Sequence, residues 1–159
     1  MRILMGILFL TIISCNSTKN NVSASEIEEV AFQTIAKGSL FGDGIEGISE
    51  TSFTITDKKA WGKLQNNMNK ENNVSSSFKE ESIDFSTEML VCVFDKVRST
   101  GGILISINKI SIENDSIKIN YSNQKPTPGE MVTTVITQPY HIVKTQKRKG
   151  VFVFIKKGK

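Results

Sequence analysis

Groups that do chemistry are scarce in this chain. One histidine and two cysteines among 159 residues exclude a His-based metal cluster and a disulfide scaffold. Only three residues are proline, while 38% are hydrophobic and 23% charged. That composition excludes collagen-like and low-complexity classes and argues against wholesale disorder. No apolar run reaches the ~20 residues that a helix needs to cross a bilayer, and no internal repeat shows at the usual periods. Neither a G-x-S-x-G elbow nor an H-E-x-x-H pair is present. The carboxylate pairs Glu28-Glu29 and Glu80-Glu81 are sequence neighbours, which point apart on a helix or a strand, so neither makes an acid/base dyad. No catalytic residue, cofactor site or metal ligand can be nominated, and the expectation is a binding protein rather than an enzyme.

What is present begins at the N-terminus. Met1-Arg2 is followed by an apolar run from Ile3 to Ile13, and then by Ser14-Cys15. A cation, a short apolar stretch and a small residue before a cut site read as a secretory signal over residues 1–14. Thr11-Ile12-Ile13-Ser14-Cys15 resembles the lipobox of bacterial lipoproteins, with Ile12 where leucine is commoner. That resemblance implies diacylglycerol on the Cys15 thiol and a further acyl chain (palmitate or similar) on the new amino terminus. Three chains at ~0.8 kcal/mol per buried methylene anchor a protein stably. An ordinary signal peptide, with Cys15 lost or free, is the alternative. With Asn16 behind the cysteine and no acidic cluster after it, lipoprotein habit implies an outer-membrane anchor facing the periplasm. Residues 15–25 are nearly all small or polar and read as a flexible tether.

Residues 26–159 form the expected domain. Val30, Phe32 and Ile35 suggest a first strand, with a short helix over Ser25–Val30 as the competing choice because Ser25 and Glu28 fit a capping box. Gly38, Gly42, Gly44 and Gly47 then suggest a loop. Phe53–Ile55 is a short strand. Asp57 is a good N-cap for a helix to about Asn69, whose face carries Trp61, Leu64 and Met68. Residues 70–82 read as surface loop. Met89–Phe94 is apolar on both faces, hence a central strand, and Cys92 within it is a core thiol. Ile103, Ile105 and Ile107 alternate on one parity and Ile110 and Ile112 on the other, which predicts a bulge at Asn108-Lys109. Residues 103–122 form a hairpin, with turn chemistry supplied by Glu113-Asn114-Asp115. Met131–Thr137 is rich in β-branched residues and reads as a strand. Pro139 suits an edge or a kink, and Tyr140–Thr145 resumes the strand. Val151–Ile155 is apolar on both faces. The sum is an α+β domain: a largely antiparallel sheet of about six strands with one helix.

Three short motifs occur in order: Ser99-Thr100-Gly101-Gly102, Pro126-Thr127-Pro128-Gly129 and Thr137-Gln138-Pro139-Tyr140. With Phe85 and the apolar strand upstream, and the Trp61 helix before that, the set resembles the PrcB C-terminal domain family. The resemblance is strongest over residues 83–156, and Ile103 stands where the family commonly has an aromatic residue. It implies an accessory subunit that supports or binds a secreted protein, often a protease, since the family takes its name from a lipoprotein subunit of a bacterial surface protease complex. The expected contact surface is Thr100, Gly101, Gly102, Pro126, Gly129, Thr137, Pro139 and Tyr140, with a free strand edge beside it. From the residues alone, a structural role for each motif is favoured over a binding one: Gly101-Gly102 allows positive φ, and Tyr140 needs a hydroxyl partner if buried. The pair of glycines is no phosphate loop, having neither the third glycine nor a following Lys-Ser/Thr.

Charge divides unevenly. Residues 1–100 carry ten cations and thirteen anions, and residues 101–159 carry ten cations and three anions. Lys144, Lys147, Arg148, Lys149, Lys156, Lys157 and Lys159 crowd what is expected to be the last hairpin and tail. Such a surface suits an acidic partner or anionic lipid, or else simply solubility. Nucleic acid is disfavoured by the export signal and by the lack of aromatics among the lysines. Two functions follow as expectations: a lipid-anchored module that docks on and stabilises a secreted or envelope protein, or an envelope protease inhibitor. Glycan or small-ligand binding ranks last, since the lone Trp61 lies on the inward helix face.

Overall fold

The computed structural model describes residues 27–79 and 82–158. The expected signal peptide, Cys15, the tether, Ser25, Glu80-Glu81 and Lys159 lie outside the described residues. Among the described residues, eight strands and one α-helix occur in the order β1 (Glu28–Glu29), β2 (Phe32–Phe41), β3 (Thr51–Ile55), α1 (Lys58–Met68), β4 (Glu88–Phe94), β5 (Leu104–Glu113), β6 (Ser116–Gln124), β7 (Thr137–Gln146) and β8 (Val151–Lys157). A 3₁₀ turn, Val74–Ser77, follows α1. The α+β class holds, but the strands divide between two four-stranded sheets, β1-β5-β6-β8 and β2-β7-β4-β3. All pairings are antiparallel except β6 with β8.

Side-chain alternation along β4 explains the layering. Val91 and Val93 face the first sheet and pack with Ile105, Ile107, Ile110, Ile117, Ile119 and Val143. Leu90, Cys92 and Phe94 face the other way and pack with Trp61, Leu64 and Met68 of α1. The β2-β7-β4-β3 sheet is therefore the middle layer, covered by a sheet on one face and a helix on the other. That is why β4 reads as apolar on both faces. At about 1.5–3 kcal/mol for each fully buried large aliphatic or aromatic side chain, this double burial is the main stabilising term.

Local chemistry sets the ends of elements. The Asp57 carboxylate accepts from the Ala60 N–H at 2.9 Å and caps α1. Asn114 and Asp115, both at positive φ, form the two-residue turn of the β5–β6 hairpin. The register slips between Ile107 and Lys109, where the change of parity places a bulge. A second bulge lies between Thr34 and Ala36.

Five expectations are corrected. Residues 28–29 form β1 rather than a helix. Gly38 lies inside β2, opposite Tyr140, and not in a loop. Met131–Ile136 is exposed irregular chain rather than strand, because its backbone bonds go to loops: Gly101 N–H to Thr133 O and Gly42 N–H to Ile136 O, both 3.0 Å. Pro139 is the third residue of β7, an internal strand, and not at a sheet edge or a kink between strands. Finally, β7 and β8 belong to different sheets and make no hairpin, and β8 is an edge strand whose Val151 and Val153 are exposed while Phe152 and Phe154 pack inward.

Candidate docking surface

Three loops meet at one end of the sandwich: 41–47, 97–103 and 126–136. Arg98 pairs with Thr137 as a β-bridge, its N–H donating to Thr137 O at 2.7 Å. Thr137 Oγ1 donates to Thr100 O at 3.0 Å. Gly101 is buried, and a Cβ there would collide with Thr133 Oγ1. Gly102 has φ +81°, and a Cβ on it would lie 2.9 Å from Pro126 Cγ. Asn72 holds the first loop by both backbone groups of Phe41, with Oδ1 accepting at 2.6 Å and Nδ2 donating at 3.0 Å. It also donates to the buried Glu46 carboxylate.

The three sequence motifs are thus brought together, but unequally. Gly102 and Gly129 are exposed and Thr100 and Pro126 half-buried, whereas Gly101, Thr137, Pro139 and Tyr140 are buried. Tyr140 sits in the helix-side core, its ring centroid 5.9 Å from that of Phe94 and 6.5 Å from that of Phe78. The buried members hold the loops in place. Among exposed polar residues such as Asp43, Ser99 and Glu130 the loops also show large apolar side chains to solvent: Met131 is 97% exposed, Phe41 57% and Ile45 56%, with Val97, Val132, Val135 and Ile136 exposed beside them. Sequence reasoning missed these residues. The β-branched run at 131–136 was their only signal, and it points equally to a strand.

Electrostatics differ on the adjoining side. A groove of about 490 Å³ is lined by Glu50, Lys96, Arg98, Asn123, Lys125, Lys156 and Lys157. Beneath it lies the buried Asp95 carboxylate, which accepts from Arg98 Nε at 2.8 Å, Arg98 Nη2 at 2.5 Å and Asn123 Nδ2 at 2.7 Å. Lys156 Nζ lies 3.3 Å from Asp95 and 2.7 Å from Glu50. Burial alone would raise the Asp95 pKa. The hydrogen bonds from Arg98 and Asn123, and the charges of Arg98 and Lys156, outweigh it and leave the carboxyl below its ordinary value.

The other lysines of the second half are spread out. Lys144 pairs with Glu88 at 3.0 Å, Arg148 with Glu28 at 2.8 Å, and Lys147 Nζ donates to Thr56 O and Phe85 O at 3.1 and 2.6 Å. These lie at the end of β8 opposite Lys156 and Lys157. Residues 27–30 enter at that same opposite end, where β1 pairs with Ser111 and Ile112 next to the β5–β6 turn.

Among the described residues no group of three His, Cys, Asp or Glu side chains is placed to hold a metal ion, and no helix is long and apolar enough to cross a membrane. A second recess, of about 460 Å³, lies beside Trp61, Ile35 and Phe85. Trp61 itself is buried, its ring centroid 5.7 Å from that of Phe78.

The chain segment that carries two of these loops is the one that comparison with known families picks out. Residues 89–146 match the PrcB C-terminal family. The PrcB C-terminal match runs through β4, β5, β6 and β7, two central strands of the middle sheet and the hairpin packed over them. It includes loops 97–103 and 126–136, and it leaves out α1, β2, β3, β8 and the 41–47 loop. No curated protein and no solved structure matches the chain.

Proposed function

We propose that this protein is a non-enzymatic, lipid-anchored accessory protein of the bacterial envelope. In this reading it docks through its apolar end on a secreted or envelope protein, and a protease is the foremost candidate. One observation carries the proposal: exposed apolar side chains of three loops are gathered at one end and held there by hydrogen bonds between the loops and to Asn72. Contiguous exposed apolar surface on a folded domain marks an interaction site more often than chance placement does. The PrcB C-terminal match over two of these loops, 97–103 and 126–136, supports the choice of partner. Anchorage at Cys15, with the lipid in the outer membrane and the domain in the periplasm, is part of this proposal. The chain enters at the pole opposite the apolar end, so a tethered domain would present that end away from the bilayer.

Photo-crosslinking in intact cells tests this. A benzoylphenylalanine at Met131 or Val135 should give a discrete adduct, and one at Ser106, on the outer face of the hairpin, should not. Cys15→Ser should release the protein from membranes. Equal adducts from all three positions would sink the docking surface. The inhibitor reading has one observation of its own, the nearly complete exposure of Met131 on a braced loop. Stoichiometric loss of the crosslinked partner's proteolytic activity would select it, and retained activity would select the accessory role.

A further inference from the structure

The basic groove beside the apolar end holds charge that the fold does not use. Arg98 and Lys156 are committed to Asp95 and Glu50. Lys96, Lys125 and Lys157 line the same groove, and none of the three makes an ion pair with a described residue. They come from three different elements: the chain after β4, the chain after β6, and the end of β8. Three uncompensated cations around one concavity raise the local potential and concentrate anions there.

How an anion would be held follows from which cations are free. Arginine is the side chain that grips a carboxylate or a phosphate with two parallel hydrogen bonds. Here the guanidinium is turned inward, with Nε and Nη2 both spent on Asp95 Oδ2. What remains is lysine, a point charge on a flexible stem that pairs with an anion without demanding one fixed bidentate geometry. The groove is also continuous with the apolar loops. Lys96 precedes Val97 and Lys125 precedes Pro126, so an occupant of the groove would border an occupant of the apolar end. An apolar centre with a charged rim is the usual composition of a protein–protein interface. A bilayer is the weaker fit, because the chain enters at the far pole and the cations converge on a recess instead of spreading over a face.

We propose that this groove seats a carboxylate-rich segment of polypeptide, held by Lys96, Lys125 and Lys157. The proposal deepens the docking reading by giving the partner an acidic stretch beside its apolar contact, but its measurement stands apart from that reading. The full chain in non-ionic detergent is titrated against a fluorescent peptide of alternating Glu and Gly, against the same peptide with Gln for Glu, and with inorganic phosphate or phosphatidylglycerol vesicles as competitors. The expected result is saturable binding of the Glu peptide alone, weakened by added salt. Lys96→Ala/Lys125→Ala/Lys157→Ala should weaken it by about tenfold or more, as expected for the loss of three focused charges. Lys59→Ala/Lys63→Ala/Lys149→Ala, which removes the same charge elsewhere, should leave it within about twofold, since exposed charges beyond a Debye length of ~8–10 Å are screened.

Equal losses from the two triple variants would overturn the site as mere net-charge attraction. Competition by phosphate at the concentration of the peptide, or by the vesicles, would overturn the choice of carboxylate polypeptide. Loss of peptide binding with crosslinking from Met131 intact would confirm a separate groove site. Absence of peptide binding by the native chain, with that crosslinking intact, would reject the groove and leave the docking reading standing.

Discussion

The backbone carbonyl of Asp95 accepts a hydrogen bond from the side chain of Gln138, Nε2 to O, at 3.0 Å. The strand register explains why. Asp95 N–H donates to Pro139 O at 2.9 Å, so the two residues form the kind of antiparallel pair that normally exchanges two bonds. Proline has no N–H to return. The neighbouring amide replaces it, and it also donates to Ile48 O at 2.6 Å. Gln138 thereby makes an internal proline tolerable and ties the 42–50 segment to the middle sheet.

This pairing predicts a specific non-additivity. Gln138→Ala should destabilise by about 2–3 kcal/mol, the usual cost of stranding buried carbonyls. In a Pro139→Ala background the restored N–H can serve Asp95 O, so the same substitution should cost about 1 kcal/mol less. Urea unfolding of the four proteins measures the coupling. Strict additivity would mean that the Gln138 amide does not stand in for the missing donor.

Much of the fold was legible where one principle acted alone. Cys92 and its neighbours are apolar at every position because β4 is covered on both faces. Asp57 and the Trp61–Leu64–Met68 spacing define α1, and the isoleucine parity change locates the Asn108 bulge. Legibility failed where a distant residue decides the local choice. Gly38 survives in a strand because Tyr140 lies across from it, Pro139 in an internal strand because Gln138 reaches round it, and residues 131–136 leave the strand conformation because Gly101 and Gly42 take their carbonyls. The apolar end was illegible for a related reason: exposure of Met131 or Ile45 records what fails to pack on it, and periodicity carries no such information. Division into two sheets was equally hidden, since strand patterns do not say which face meets which.

Gly38 offers a second coupled pair. A Cβ at this position would lie 3.3 Å from the Tyr140 hydroxyl oxygen and 3.6 Å from Cζ. Gly38→Ala should therefore cost about 1–3 kcal/mol through overpacking, despite alanine's lower entropy cost. Tyr140→Phe removes the closest atom. Gly38→Ala should then be clearly milder in the Tyr140→Phe protein, by thermal or urea unfolding. An equal penalty in both backgrounds would place the strain elsewhere.

His141 makes stability depend on pH in a calculable direction. Its Nδ1 accepts from the Ile107 N–H at 2.8 Å, the backbone donor beside the β5 bulge, and Nε2 lies 2.9 Å from Thr34 Oγ1. The ring is thus neutral and joins the two sheets. Burial, reinforced by Lys37, lowers its pKa from 6.5 to about 4. The unfolded chain takes up the proton first, so this contribution is complete above pH 6.5 and is lost as pH falls from 6.5 towards 4. At 1.36 kcal/mol per unit it amounts to about 3 kcal/mol. His141→Gln should flatten the stability profile in that window relative to the native chain, leaving only the steeper carboxylate losses below it. An unchanged slope would exclude His141 as the group responsible.

Cys92 supplies the last test. Its thiol is wholly buried between Phe53 on β3 and Ile142 on β7, its partners across the strand register, and burial pushes its pKa up. A thiol that can neither ionise nor meet solvent is inert towards alkylation and disulfide exchange. In a Cys15→Ser chain, where Cys92 is the only cysteine left, a thiol reagent should label no group at neutral pH until denaturant is added, and then one per chain. Labelling should track unfolding measured by tryptophan fluorescence from Trp61, since both report on the helix-side core. Cys92→Ala should cost less than Cys92→Ser, because a serine hydroxyl in that core has no partner and carries a desolvation penalty of about 1–3 kcal/mol. Rapid labelling of the native chain would mean that the middle sheet opens locally, and the double-covered β4 would then not be the most protected part of the fold.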